Sequence, residues 1–134
     1  MDLKLHNRDV IPKLIYDLFI KRPLQEMIKR VTGGKKMGGI YKITYKKTGE
    51  AYIGKTSSDF GTRWTNHVKT ALGLDGCAHA TLHTRLAQDG LWNYTFEILE
   101  EVDKEKQSER EAFYINLYGT KKQLNMKDGA KNGT

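Results

Sequence analysis

The chain has 134 residues, of which 38% are hydrophobic and 29% are charged. This length fits one domain with a modest core. The composition excludes a disordered chain, and the absence of an apolar run near ~20 residues excludes a membrane span. A net charge of +7 indicates contact with nucleic acid, although a solvated basic surface would explain the same excess.

The first residues and the cysteine content bear on the cellular compartment. Residues 1–10 carry acidic side chains and lack the apolar segment of a signal peptide. Cys77 is the only cysteine, which excludes an internal disulfide and agrees with a reducing compartment. We therefore expect a cytoplasmic protein with no membrane contact.

Residues 1–37 form a basic extension with a helical pattern. They contain nine Lys and Arg against four Asp and Glu, whereas residues 38–134 contain fourteen against twelve. Pro23 is predicted to end a first helix and to lie in the first turn of a second. This predicts a helical hairpin packed on the main domain or, alternatively, an arm that contacts DNA. The predicted apolar faces are Ile11, Leu14, Ile15, Leu18 and Phe19 in the first helix and Leu24, Met27, Ile28 and Val31 in the second.

Residues 38–128 are predicted to form a compact α+β unit, followed by a polar tail at 129–134. A hairpin is indicated by alternating apolar residues on both sides of the turn at 46–50. Ser58 or Asp59 can cap the helix that follows, and a shorter helix over 79–88 is closed by Gly90.

The segment WNYTFEILEEV has the composition of a third strand, and a last helix ends at Gly119. Phe113 and Leu117 are predicted to face inward from that helix, and Trp64, Phe96 and Phe113 to lie in the core. The expected fold is a small three-stranded, mostly antiparallel sheet flanked by helices, with an N-terminal helical extension.

Two triplets, Gly39-Ile40-Tyr41 and Tyr52-Ile53-Gly54, stand at hairpin separation. Together with the motifs after them, they resemble the GIY-YIG endonucleases. Arg63-Trp64 followed by His67, then GCAHATLH and EREAFYI, follow in the order found in phage homing-type members. The resemblance covers about 38–128 and does not extend to residues 1–37.

The resemblance implies the GIY-YIG nuclease fold and an enzyme that hydrolyses double-stranded DNA with Mg²⁺ or Mn²⁺, from a phage, a mobile element or a bacterium. The sequence departs from the homing-type pattern in two features. His79 is one residue farther from Cys77, and Thr62 stands where a basic residue is frequent. The implied catalytic residues are Tyr41, Tyr52, Arg63, His67 and Glu111, with Glu111 also the metal ligand and with Lys55, His79 and Asn125 as substrate contacts.

Phosphodiester hydrolysis gives these residue types plausible roles. A carboxylate such as Glu111 suits Mg²⁺, which keeps several waters and polarises phosphate oxygens. Arg63 can grip phosphate with two parallel hydrogen bonds. A tyrosine base needs neighbouring cations, because the free phenol has a pKa of ~10. Helical periodicity does not choose between Glu109 and Glu111, and the resemblance favours Glu111.

Other interpretations fit the same residues. Either tyrosine alone would be a packing residue, and His83 and Cys77 do not fit the spacing of a zinc site. The chain could be a non-catalytic DNA-binding or protein-interaction module on the same scaffold. It could also be a nuclease subunit targeted by a protein partner, or a homodimer, through residues 1–37.

Overall fold

The computed structural model describes residues 10–74 and 81–125. No helix within these ranges is long and apolar enough to cross a bilayer. The described elements, in chain order, are α1 (Val10–Ile15), a π-helical turn (Tyr16–Ile20), α2 (Lys21–Thr32), β1 (Gly39–Tyr45), β2 (Ala51–Thr56), α3 (Phe60–Ala71), α4 (Thr81–Asp89), a 3₁₀ turn (Leu91–Asn93), β3 (Tyr94–Glu101), α5 (Lys104–Tyr118) and a second 3₁₀ turn (Thr120–Lys122).

The three strands form one antiparallel sheet in the order β2-β1-β3. Helices flank this sheet, and the expected α+β architecture is confirmed. As predicted, Asp59 caps α3, where its carboxylate accepts a hydrogen bond from the Thr62 amide at 3.0 Å. Gly119 ends α5 in the left-handed conformation.

The register of the hairpin explains how two tyrosines eleven positions apart come together. Tyr41 pairs with Gly54, and Ile43 pairs with Tyr52. Because side chains alternate between the faces of a strand, Tyr41 and Tyr52 lie on one face as diagonal neighbours. Their ring centroids are 6.3 Å apart. The hairpin therefore brings both rings to the same face of the sheet.

Helix α3 covers this face of the sheet with aromatic side chains. Phe60 and Trp64 are fully buried, and each packs edge-on against the ring of Tyr41 at a centroid distance of 6.2 Å. Phe96 of β3 lies on the other side of Trp64, at 5.5 Å. The prediction that Trp64 and Phe96 belong to the core is confirmed.

The N-terminal helix differs from the prediction, because Pro23 does not end it. Helix α1, the π-helical turn and α2 follow one another without a break, and the Lys21 amide donates to the Tyr16 carbonyl across the widened turn. A proline ring clashes with the carbonyl one turn earlier in a regular α-helix, and a π turn just before it relaxes that contact. The expected hairpin is thus one helical run.

The apolar face of this run also differs from the prediction. The buried stripe contains Tyr16 and Leu24, which pack on Val68 of α3, and Met27, Ile28 and Val31 continue it as expected. A helix buries one stripe, and the stripe that continues into α2 is the longer one. The residues of the first predicted face whose side chains are described are exposed instead: Leu14, Ile15, Leu18 and Phe19.

A glycine permits the close approach of α2 and α3. A Cβ atom at Gly61 would lie 2.8 Å from Cγ2 of Ile28 and 3.3 Å from the Asp59 carboxylate. Such a contact is closer than carbon atoms tolerate, so a side chain here would separate the helices. The N-terminal helix therefore packs closely against the rest of the domain.

Helix α5 buries a polar face, and the predictions for Phe113 and Leu117 are wrong. These two side chains are 47% and 59% exposed. Gln107 is buried instead, and its amide donates to the carbonyls of Thr56 and Val102 at 3.0 Å each. Because the inward face carries hydrogen-bonding groups, hydrophobicity indicated the wrong side of the helix.

Candidate active site

A chain of three side chains leads from the sheet into the helical layer. The Tyr41 hydroxyl lies 2.6 Å from Nε2 of His67, and Nδ1 of His67 lies 2.8 Å from Nε2 of His83. With Nδ1 of His67 protonated, Tyr41 donates to His67 and His67 donates to His83. In the other tautomer both hydrogen bonds reverse. In either case these hydrogen bonds connect β1 to α3 and α4.

Burial keeps both ends of the first hydrogen bond neutral. Burial raises the pKa of the fully buried Tyr41 to about 12, although Arg63 and Tyr52 act in the opposite direction. Burial, and then the charge of Arg63, holds the pKa of His67 well below its ordinary value. The resting pair at neutral pH is therefore an uncharged phenol and an uncharged imidazole.

Arg63 joins the two tyrosines from α3. Its Nε donates to the Tyr41 hydroxyl across 3.4 Å. Burial would lower the pKa of Arg63, but the Tyr41 and Tyr52 oxygens outweigh this and raise it. Tyr52 is 8% exposed, whereas Tyr41 is completely covered. Tyr52 is thus the phenol nearer the surface. Both rings pack against His67, with ring centroids 5.8 Å away for Tyr41 and 5.7 Å away for Tyr52.

Gly54 makes room for the Tyr41 phenol. A Cβ atom at this position would lie 2.3 Å from both Cζ and the hydroxyl oxygen of Tyr41. The residue is part of regular strand β2, so its backbone needs no left-handed conformation. The second triplet therefore ends in glycine because the ring of the first triplet crosses that strand.

Glu111 of α5 supplies the carboxylate of the site. Burial raises its pKa, and the positive charges of Lys55 and Arg63 partly offset that effect. Lys55 extends from β2 to α5, where its ammonium donates to the Ser108 hydroxyl at 2.7 Å. Glu109 is exposed on another face of α5. Of the two glutamates, the structure brings Glu111 to Arg63 and Lys55.

The donor set at Glu111 is compatible with a hard divalent cation. In the described part of the chain, the Glu111 carboxylate forms no hydrogen bond and no ion pair within 4.0 Å, so its oxygens are available. No group of three or more His, Cys, Asp or Glu that could hold a metal occurs among the described residues. A single carboxylate suits Mg²⁺ or Mn²⁺ completed by water and phosphate oxygens, and it does not suit a structural zinc.

Asn125, which was expected as a substrate contact, is buried and hydrogen-bonded within the protein. It is 3% exposed, and its amide pairs with both the N–H and the C=O of Ile53, at 2.7 and 2.9 Å. The hydroxyl of Thr120 also donates to its oxygen, at 2.5 Å. Gln123 accepts from the Ala51 amide in the same way, at 2.7 Å. These side chains hold the outer edge of β2 and so position Tyr52.

His79, the other expected substrate contact, lies outside the described residues. His83 was missed, because it fits no metal spacing and no local pattern links it to His67, sixteen residues earlier. Only the packing of α4 against α3 brings the two rings to 5.1 Å between centroids.

Comparison with known proteins agrees with this geometry. The sequence profile of the GIY-YIG catalytic domain matches residues 37–125. The catalytic domain of the homing endonuclease I-TevI is 29% identical with a TM-score of 0.56, over 64% of this chain and 92% of that chain. A glutamate-to-alanine mutant of that domain, described as an intron endonuclease, is 29% identical with a TM-score of 0.57, over 66% and 90%. No curated protein sequence matches the chain significantly.

The fold and site define a GIY-YIG catalytic domain, and the chain belongs to that family. The predicted membership of the GIY-YIG endonucleases and the predicted enzyme class, a DNA endonuclease, are confirmed.

Proposed function

We propose that the protein is a divalent-metal-dependent endonuclease that hydrolyses phosphodiester bonds of double-stranded DNA. The observation that carries this proposal is the convergence of Arg63, Lys55 and the unpaired Glu111 carboxylate beside the two phenols. Two cations next to one carboxylate favour a phosphate group together with a metal ion. A non-catalytic binding module would not need a desolvated carboxylate at this place.

The residues of the chain divide the reaction among them. Arg63 is charged and faces the site, so it stabilises negative charge that grows on phosphate. Tyr52 is the phenol that can meet the attacking water, whose oxygen bonds to phosphorus while the bond to the leaving sugar oxygen breaks. With Arg63 and a bound metal ion favouring its phenolate, Tyr52 would take the proton of that water, and solvent would protonate the leaving sugar oxygen. The neutral imidazole of His67, whose pKa lies well below its ordinary value, holds the Tyr41 hydroxyl in place at 2.6 Å.

Glu111 would hold the metal, with water and phosphate oxygens as the other ligands. A bound Mg²⁺ or Mn²⁺ supplies Lewis-acid polarisation of the phosphate and of its waters. Because burial raises the pKa of Glu111, protons compete for the carboxylate more strongly than at an exposed glutamate. This predicts weak metal binding in the absence of DNA.

The test is cleavage of supercoiled plasmid by purified protein in Mg²⁺, with and without EDTA, for the wild type, Glu111→Ala and Glu109→Ala. We expect cleavage by the wild type and by Glu109→Ala, and a loss of at least ~10²-fold in Glu111→Ala with DNA binding retained. Glu109→Ala is the matched control, because it removes an exposed carboxylate from the same helix.

Two outcomes would contradict the proposal. Cleavage by the wild type in EDTA would remove the metal from the reaction. Cleavage by Glu111→Ala at the wild-type rate would exclude this carboxylate from the reaction.

One site cuts one strand, so double-strand breaks require two protomers or two visits. The time course of nicked against linear plasmid distinguishes single nicking from paired cutting. An origin in a phage, mobile element or bacterium, and a cytoplasmic location, belong to the same proposal.

A further inference from the structure

We propose that a groove between the N-terminal helix and α3 binds the sugar-phosphate backbone of the DNA substrate outside the cleavage site. This inference rests on the proposed function, since it extends the contact with the same DNA. The groove is named the lysine groove after the four lysines that line it: Lys29, Lys35, Lys36 and Lys69.

The lysine groove concentrates positive charge from three parts of the chain. Lys29 belongs to α2, Lys35 and Lys36 to the connector after it, and Lys69 to α3. None of them forms a salt bridge with any residue that the structure describes. Ion pairs elsewhere on the N-terminal helix, such as Lys13 with Asp17, do not involve these four lysines, although the Asp59 carboxylate interacts with Lys36 at longer range.

One acidic residue, Asp59, also lines the groove, and its carboxylate caps helix α3. It accepts hydrogen bonds from the amide and the hydroxyl of Thr62, at 3.0 and 2.8 Å. It therefore satisfies the first turn of α3, whose dipole favours a negative charge. The groove keeps a net positive charge and attracts a polyanion.

The other lining groups fit phosphate rather than bases. Thr62, Thr65 and Asn66 offer neutral donors, which together with lysines are usual contacts to phosphate oxygens. Among the described residues that line the groove, none is aromatic and none is arginine. Base stacking and bidentate recognition of guanine usually employ those side chains. The groove therefore holds DNA without reading its sequence.

The groove and the catalytic residues share helix α3. Thr62 and Asn66 line the groove, and the residues directly after them, Arg63 and His67, face the tyrosines. Lys69 follows Arg63 by six residues, or about 9 Å along the helix axis at 1.5 Å per residue. That length matches two or three phosphates when α3 lies along the duplex axis, on which each strand carries one phosphate per roughly 3.4 Å. One backbone can thus run from the cleavage site along α3 into the groove.

The family match begins at residue 37, so the α2 wall of the groove and most of its lysines precede the matched domain. The N-terminal extension consequently increases the affinity of the catalytic domain for DNA. The alternative, a protein partner at this basic surface, becomes an outcome of the test.

The experiment measures the salt dependence of binding to a labelled random-sequence 30-base-pair duplex, in EDTA and in a Glu111→Ala background so that no DNA is cut. The groove variant replaces three lysines with glutamine: Lys29, Lys35 and Lys36. A matched control removes the same charge from exposed lysines outside the groove: Lys13, Lys21 and Lys47.

Each phosphate that a cation neutralises adds about 0.9 to the slope of log affinity against log salt. We expect the groove variant to lose about 2 to 3 from this slope, and the control variant less than about 1. Between 50 and 200 mM salt, the affinity of the groove variant should consequently change about 40-fold less than that of the parent. The loss should be equal for duplexes of different sequence.

Three results would overturn the proposal. An unchanged slope in the groove variant would show that its lysines do not meet phosphate, and they would then be free to serve a protein partner. An equal drop in the control variant would reduce the effect to net charge. With Glu111 intact and Mg²⁺ present, a single-turnover rate at saturating DNA more than about 10-fold below the wild type would assign the lysines to catalysis instead.

Failure of the nuclease proposal is recognised separately. If the wild type binds the duplex with the expected slope and cuts nothing in Mg²⁺, the cleavage function is wrong while the groove proposal stands.

Discussion

Gly54→Ala tests whether the second triplet is built around the Tyr41 ring. The added Cβ would lie 2.3 Å from Cζ and the hydroxyl of Tyr41 and 2.6 Å from Cε1. Ordinary contact between such atoms begins at about 3.5 Å, so the ring must move by about 1.2 Å. Phe60, Trp64 and His67 pack against the ring and leave little space for that movement.

The cost of this substitution has two parts. Overpacking a well-filled core costs about 1–3 kcal/mol. Displacement of the hydroxyl breaks its 2.6 Å hydrogen bond to His67, and a buried group left unpaired costs another ~1–3 kcal/mol. The sum is about 2–6 kcal/mol, a large share of the ~5–15 kcal/mol that stabilises a typical domain. At about 4 °C per kcal/mol for a chain of this size, Tm should fall by about 8–24 °C.

The assay is urea unfolding followed by circular dichroism, for Gly54→Ala alone and in a Tyr41→Leu background. With the phenol ring removed, the new methyl group has space, and we expect Gly54→Ala to cost less than about 1 kcal/mol there. The coupling between the two sites then measures the contact directly. An equal cost in both backgrounds, or a cost below about 1 kcal/mol in the wild type, would refute this explanation of the glycine.

Two further predictions concern α3. Arg63→Ala should lower the single-turnover cleavage rate at saturating DNA by ~10²–10³-fold, because it removes a charge that acts on the transition state; an equal loss of affinity in a binding titration would make Arg63 a phosphate anchor only. His67 has a native pKa well below its unfolded value of about 6.5, so below pH 6.5 the unfolded chain binds a proton that the native state refuses. Stability should therefore fall with decreasing pH by up to ~1.4 kcal/mol per pH unit from this residue, and urea unfolding between pH 7.5 and 5 should show a flatter profile for His67→Gln; parallel profiles would contradict the burial of a neutral imidazole.

The hairpin and the helix after it could be predicted from the sequence because their signals are local. Two alternating segments around a turn define β1 and β2, and Asp59 marks the start of α3. The proximity of Tyr41 and Tyr52 followed from two short motifs at hairpin separation. Most residues that the family resemblance assigned to the site are brought together around these elements. Asn125 instead pairs with the outer edge of β2, and His79 lies outside the described residues.

The structural predictions were wrong where a helix buries a polar group, or where two apolar stripes of one helix could each have been the buried one. Hydrophobicity placed Phe113 inward, although α5 buries Gln107 because its amide satisfies two carbonyls. Likewise, a proline predicts the end of a helix only while the preceding turn is α-helical, and the π turn before Pro23 removes that condition. The contact of His67 with His83 depends on helix packing, which no local spacing encodes.

The amide groups of Gln123 and Asn125 have a consequence for self-association. β2 is an edge strand, and its outward N–H groups at Ala51 and Ile53 and the C=O of Ile53 would otherwise be free to pair with a strand of another molecule. The side-chain amides imitate such a strand and occupy those groups. Shortening the chain before residue 123 would therefore expose a template for intermolecular β-sheet, and the first sign would be aggregation of the domain rather than a slower enzyme.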